Sequence, residues 1–281
     1  MKWIVGLLLA GLMQLSAADS DFDGVDNKTD RCANTPFGDL VDSVGCTTKT
    51  VFTDTAYDLI VGINYADTNY NTLEKADTLT TTFQADMYRG DLFAQILTSY
   101  FHSVETNTTD SGWNDTQMGV YIKSHPASNL TLQSGLGIIL PTYDSGYGNE
   151  AVDIFGAINL QYDINEHYHL FGGLTYTMVN DTDIQDALQD GNTSSVSSTV
   201  KYRNTTAFTA GVGYATLHNG FVNIAYSQSD SIYIGVSPFK TLSLNSMLPL
   251  DDHWFVLGNY RYGLSESTSD HEIALRLGYY F

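Results

Sequence analysis

The chain has 281 residues and a formal net charge of −20, so a nucleic-acid partner is excluded: a phosphate backbone would be repelled, not neutralised. It is 43% hydrophobic and 12% aromatic, with 19 Tyr and 24 Gly but only 5 Pro. No apolar run reaches the roughly 20 residues that a helical membrane span needs, so apolar content of this size must be spread over shorter elements.

The first segment reads as an export signal. Lys2 precedes an apolar stretch from Trp3 to Leu12, and small residues Ser16 and Ala18 precede Asp19. A basic start, a short apolar centre and small residues before the cut define a secretory signal peptide, here 1–18. Export leads to an oxidising compartment.

Residues 19–46 are acidic and patterned. Asp19, Asp21, Asp23 and Asp30 occupy the first, third, fifth and twelfth positions of a loop, with Gly24 sixth, Val25 seventh and Asn27 ninth. This spacing suits a hard cation: alternate oxygens converge, glycine takes the sharp turn, the seventh residue offers its carbonyl and the twelfth closes the shell. The segment continues Asn34-Thr35-Pro36, then Gly38, Val41-Asp42, Gly45 and Cys46. Together these residues resemble a thrombospondin type-3 calcium repeat of the kind found in OmpA-type envelope proteins. The resemblance implies Ca²⁺ held by Asp19, Asp21, Asp23, Asn27, Asp30 and the Val25 carbonyl. It departs from the family at Asn27, Asp26 and Ala33. Cys32 and Cys46 are the only cysteines, and both lie in this repeat. In an exported protein they are expected to pair. With almost no core of its own, the repeat needs that staple and the cation to be ordered. Residues 47–56 are a linker.

From Tyr57 to Phe281 the apolar residues recur with period two between polar breaks. Leu59, Val61, Ile63 and Tyr65 share one face; so do Leu79, Phe83, Ala85 and Met87. The strand near 92–101 is apolar on both faces, which leaves its register open. Further rows follow: Met118/Val120/Ile122, Leu130/Leu132/Leu136/Ile138, Ile154/Ile158/Leu160/Tyr162, Tyr168/Leu170/Leu174/Tyr176, Tyr202/Phe208/Val212/Tyr214, Val222/Ile224/Tyr226, Leu242/Leu244/Leu248 and Trp254/Val256/Tyr260/Tyr262. Short connections at 89–91, 124–128, 165–166, 217–220 and 250–252 alternate with polar ones near 67–76, 102–112, 141–150, 179–199, 229–238 and 265–270. Alternating short turns and long loops are the topology of a transmembrane barrel. The apolar faces carry almost no charge, whereas the opposite faces carry Asp86, Lys123, Asp153, Asp163, Arg261, Glu272 and Arg276.

The final strand, His271–Phe281, alternates Ile273, Leu275, Leu277 and Tyr279 with Glu272, Ala274, Arg276 and Gly278, and stops on an aromatic residue. It resembles the closing strand of Gram-negative outer-membrane β-barrels. The expected fold is therefore all-β: a transmembrane antiparallel up-and-down barrel of about twelve strands, residues 57–281, with both termini in the periplasm and outer-membrane lipid around it.

Function is less legible. Arg261, Arg276, Glu272, Lys201 and Arg203 form a mixed-sign set expected to face the lumen, either as a selectivity constriction or as an ion-paired filling. His167 and His169 share a face beside Glu166. Asp251-Asp252-His253 resembles the acidic/His groups of outer-membrane proteases, but it falls in a short turn. No strand carries the outward His and Ser of an outer-membrane phospholipase. The leading expectation is a non-enzymatic barrel, pore-forming or structural, with a periplasmic calcium repeat that serves as a spacer, as a partial plug at the periplasmic mouth, or as a contact to periplasmic or peptidoglycan-associated partners. The alternatives are a barrel enzyme acting on lipid or peptide, and a surface adhesion protein. Nothing in the chain argues for a particular oligomeric state.

Overall fold

A computed structural model describes residues 25, 28–32, 35, 41–47, 55–68, 76–105, 108–143, 151–181, 184–186, 198–216 and 220–281. The signal segment and four proposed calcium ligands (Asp19, Asp21, Asp23 and Asn27) lie outside them.

The strands are β1 Thr55–Thr68, β2 Ala76–Arg89, β3 Leu92–Glu105, β4 Thr109–Trp113, β5 Thr116–Ala127, β6 Leu130–Leu140, β7 Asp153–Asp163 and β8 Tyr168–Met178. There follow β9 Ile184–Asp186, β10 Ser198–Val200, β11 Thr205–Ala215, β12 Phe221–Ser229, β13 Phe239–Pro249, β14 Trp254–Gly263 and β15 His271–Tyr280. β4 and β5 are consecutive pieces of one strand against β3, and β9 pairs only with β10. The others form a ring in chain order, each antiparallel to the next. β15 returns to β1 through ten paired residues, from Asp58↔Tyr280 to Asp67↔His271. The result is a closed twelve-strand barrel, and closure removes the exposed edges that an open sheet would present.

The register sorts side chains by parity. Leu59, Val61 and Ile63 face out opposite Tyr279, Leu277 and Leu275, and each is about half exposed. Ile60, Asp58, Asp86, Asp153 and Phe155 face in and are buried. Apolar side chains thus cover the outside, while carboxylates lie within. This inversion is stable only when lipid replaces water on the outer face. Charged residues of outward parity occur only near strand ends, at Asp67, Asp77, Arg89 and Lys240. Aromatic residues flank the apolar band. At the short-turn end Trp254 meets Tyr279 edge-on and Tyr57 stacks on Phe281. At the long-loop end Tyr65 donates to Asp77 and Tyr100 meets Trp113. Such rings sit where a bilayer changes from hydrocarbon to headgroup.

Three details differ from the sequence reading. The stretch near 102–112 is not a loop: β3 runs on to Glu105 and β4 starts at Thr109, an extended hairpin. The open register of β3 resolves with Phe93, Leu97 and Phe101 inward and Leu92, Ile96 and Tyr100 outward, because Gln95, on the first face, reaches the buried Asp86. Tyr202 lies ahead of β11 and bridges Tyr233 instead of continuing the strand. The segment around it is tied to the 230–234 loop by Arg203 and by the Ile234 N–H, which donates to the Lys201 carbonyl.

Ahead of the barrel, Cys32 and Cys46 form a disulfide with Cα atoms 4.9 Å apart. The Arg31 N–H donates to the Val44 carbonyl, and the buried Thr35 hydroxyl contacts the Cys32 and Gly45 carbonyls. Gly45 turns the chain at φ 77°, a conformation that a side chain disfavours.

Candidate functional site: the barrel lumen

The inward faces of β15, β1, β2 and β3 build one side of the lumen as a filled wall. Arg276 on β15 lies over Gly62 of β1, where a Cβ would overlap it. Its Nη1 donates to Gln84 Oε1 at 3.3 Å. Gln84 Nε2 in turn donates to Asp86 Oδ2 at 2.7 Å, and Gln95 Nε2 to Asp86 Oδ1 at 3.0 Å. One residue pair toward the short-turn end, the Tyr88 hydroxyl donates to Asp58 Oδ2 at 3.0 Å. Asp86 thus has an amide partner on each oxygen, and through Gln84 a guanidinium beyond, whereas Asp58 has the Tyr88 phenol on one oxygen and its buried Oδ1 is without a hydrogen-bond partner among the described residues. Toward the long-loop end Arg261 pairs with Glu272 at 3.1 Å, and Asn64 Nδ2 donates to the same Glu272 oxygen at 2.7 Å.

The remaining wall, β5 to β13, is built differently. Large inward side chains lie flat over a glycine on the neighbouring strand. Tyr121 covers Gly135, Phe155 covers Gly137, Phe171 covers Gly211 and His169 covers Gly213; each is a directly opposed cross-strand pair. A ring held against the wall leaves the space in front of it free. Three cavities of about 290, 1130 and 550 Å³ follow this wall. The first two share Gln133, Asn159 and Thr175; the last two share Phe171, Thr209 and Asn223, so they are contiguous. The series opens among Asn165, Glu166 and Thr216 at the short-turn end and reaches Ser267 and Ser269 at the long-loop end. Its middle is lined by neutral amides and hydroxyls. Asn159 Nδ2 donates to Gln133 Oε1 at 3.3 Å and Asn245 Nδ2 to Asn223 Oδ1 at 2.6 Å, while Asn259 Nδ2 donates to Asn245.

The sequence-selected residues divide between these regions. Arg261 and Glu272 are brought together, and Arg276 lies on the same wall but is held by Gln84. Lys201 and Arg203 precede β11 in the long-loop region, where Arg203 meets Asp230 at 3.7 Å and donates from Nε to the Ser231 carbonyl. His167 and His169 both line the largest cavity, with His167 against Tyr214. Among the described residues, no group of three or more His, Cys, Asp or Glu is placed to hold a metal. In the 251–253 turn, Asp251 Oδ1 accepts the His253 and Trp254 N–H groups at 2.8 Å each, and His253 Nδ1 lies 3.1 Å from the Tyr280 carbonyl. Asp251 therefore shapes a turn. Sequence reasoning missed the Gln84–Asp86–Gln95 cluster and the amide-lined track. Their signal was present in the inward parity of Gln117, Gln133, Asn159, Asn223 and Asn245, which stands out only once the strands are paired.

Thr35 of the disulfide loop lines the largest cavity together with Lys123, Asn129 and Asp163. These belong to the side of the ring facing away from β1, the strand that the loop leads into.

No family model matches the chain, and no curated protein matches it in sequence. Solved structures do resemble it. An outer membrane channel from Pseudomonas putida F1 superposes with a TM-score of 0.64 at 10% identity, covering 83% of this chain and 97% of that one. The translocator domain of the autotransporter NalP from Neisseria meningitidis gives a TM-score of 0.51 at 13% identity, covering 83% and 90%. The NanC porin gives 0.48 at 12% identity, covering 80% and 98%. At such identities the likeness establishes the fold, that of outer-membrane barrels.

Proposed function

We propose that the protein is a passive channel of the Gram-negative outer membrane for small hydrophilic solutes. The observation that carries this reading is the contiguous series of cavities along the β5–β13 wall, with neutral amides and hydroxyls in its middle and charged groups at both ends. On this wall Tyr121, Phe155, His169 and Phe171 each lie over a glycine, which keeps them back from the cavities. The resemblance in fold to an outer membrane channel agrees with the channel reading. The reading involves no chemical step; passage needs only a wall that exchanges hydrogen bonds with water and solute at similar cost. The lipid partner is the outer membrane, with the short turns, the C-terminus and the N-terminal repeat on the periplasmic side. Reconstituted into a planar bilayer, the protein is expected to give stepwise single-channel currents; a correctly folded barrel without current would refute the channel.

The N-terminal repeat is proposed to bind Ca²⁺ through Asp19, Asp21, Asp23, Asn27, Asp30 and the Val25 carbonyl. The oxygen-only donor set in loop order supports this. So does Asp30, whose Oδ1 accepts the Cys32 N–H at 2.8 Å and thereby sets the loop-closing carboxylate beside the disulfide. With Thr35 lining the largest cavity, the repeat partly covers the short-turn mouth. Calorimetric titration of the detergent-solubilised protein with millimolar Ca²⁺ should release or absorb heat that vanishes in Asp21→Ala/Asp23→Ala. Equal heats from both proteins would place the ion elsewhere.

A further inference from the structure

We infer that this lumen favours neutral, polyhydroxylated solutes of the sugar and polyol class over ions of similar size. The inference rests on the channel reading above and adds a substrate class to it.

Three observations combine. First, the charges are sorted to the two ends and to one wall, with Asp115, Asp153 and Asp181 near one another at the long-loop end. Lys123, Asp163 and Glu166 stand at the short-turn mouth, with both signs present. Arg261 and Glu272 neutralise each other near the opposite mouth. Arg276, Asp86 and Asp58 are held on the filled wall by Gln84, Gln95 and Tyr88. An ion entering the middle section would leave bulk water and meet no charged side chain on the cavity lining, the Asp86 carboxylate being set back behind Gln95; that is a costly exchange.

Second, that section offers paired donors and acceptors. Gln95, Gln117, Gln133, Asn159, Thr175 and Thr177 line the smallest of the three cavities. Amides and hydroxyls both give and accept hydrogen bonds. A solute hydroxyl does the same, so it can replace a lumen water bond for bond, whereas a carboxylate only accepts and an ammonium only donates.

Third, the rings of Tyr121, Phe155 and Phe171, each packed over a glycine, line the path. A sugar ring has one relatively apolar C–H face and a hydroxyl-bearing rim. A flat aromatic surface beside convergent amides matches both parts, as in small-molecule sites generally, where apolar surface supplies contact and a few polar groups set orientation.

The test is swelling of proteoliposomes in isotonic glucose, sorbitol, gluconate or glucosamine, solutes of similar size that differ in charge. Glucose and sorbitol should enter several-fold faster than either charged solute. Asn159→Asp should slow gluconate and speed glucosamine. Asn159→Leu should lower glucose entry relative to the conservative Asn159→Ser, with all three variants checked for the folded, heat-modifiable form. If gluconate or glucosamine enters as fast as glucose in the unaltered protein, the selectivity is overturned while the channel stands. If nothing enters and no current flows, the channel itself is overturned.

Discussion

Glycine on this barrel's inner surface is a spacer for its neighbour. Gly213 shows it plainly: the three atoms nearest to a Cβ placed there all belong to the His169 ring. Gly213→Ala should push that ring off the wall into the largest cavity, lowering single-channel conductance at a stability cost of about 1–3 kcal/mol; unchanged conductance would mean that the ring finds room along the wall. Arg276 is a different case. Replacing it with Met leaves Gln84 and the nearby carboxylates without their cation, which should cost about 1–3 kcal/mol in denaturant unfolding. Asp251 gives a pH signature. The His253 and Trp254 N–H groups, in that order, hold its carboxyl below the usual carboxylate range. Its contribution is therefore present above the ordinary, unfolded-chain value and lost as pH falls through the lowered folded one. The melting-temperature gap between the unaltered protein and Asp251→Ala should be open at neutral pH and close in strong acid. A gap that widens on acidification would contradict the capping role.

At the level of strands, much was readable in advance because a lipid-facing row must be apolar at every second residue. Leu59, Val61 and Ile63, or Leu170, Leu174 and Tyr176, could hardly be placed otherwise. The reading failed where parity changes within a strand. Between β4 and β5, Asn114 and Asp115 together oppose Ser99, so outward positions switch from Trp113 to Met118. This β-bulge hides the alternation across 113–118, while 102–112 looked like a loop because it is rich in Ser, Thr, Asp and Glu. The bulge is fastened: Asn114 donates to Ser99 through both its backbone N–H and its side chain, and the Tyr143 N–H donates to Asp115. Deleting Asp115 removes the extra residue, so Asn114 alone opposes Ser99 and Met118, Val120 and Ile122 keep their outward places. Such a chain is expected to keep heat-modifiable migration in detergent gels; loss of that migration would show that the bulge is needed for the barrel to close. The lumen was harder to read for another reason. Arg261, Glu272 and Arg276 were recognisable as inward, but whether an inward charge lines a path or fills a wall depends on partners from other strands. Gln84 and Arg276 are 192 residues apart in the chain.

For the molecule as a whole, charge sorting, wall asymmetry and the disulfide loop at one mouth describe a lumen with a closed and a permissive side. That asymmetry follows from where the ring is sealed. The filled wall contains the seam where the last strand meets the first two, and the hydrogen bonds across that seam span the greatest sequence distances; Asn64 and Glu272 are 208 residues apart. Contacts so remote form late, because the entropy of joining distant segments must be met before they contribute. The permissive wall comes from hairpins whose members follow one another directly, so it can be laid down as the chain arrives. The order of assembly therefore runs from pathway to seal: the surface that meets solute is in place first, and the Arg276 cluster records the last event, the moment at which a curved sheet becomes a tube.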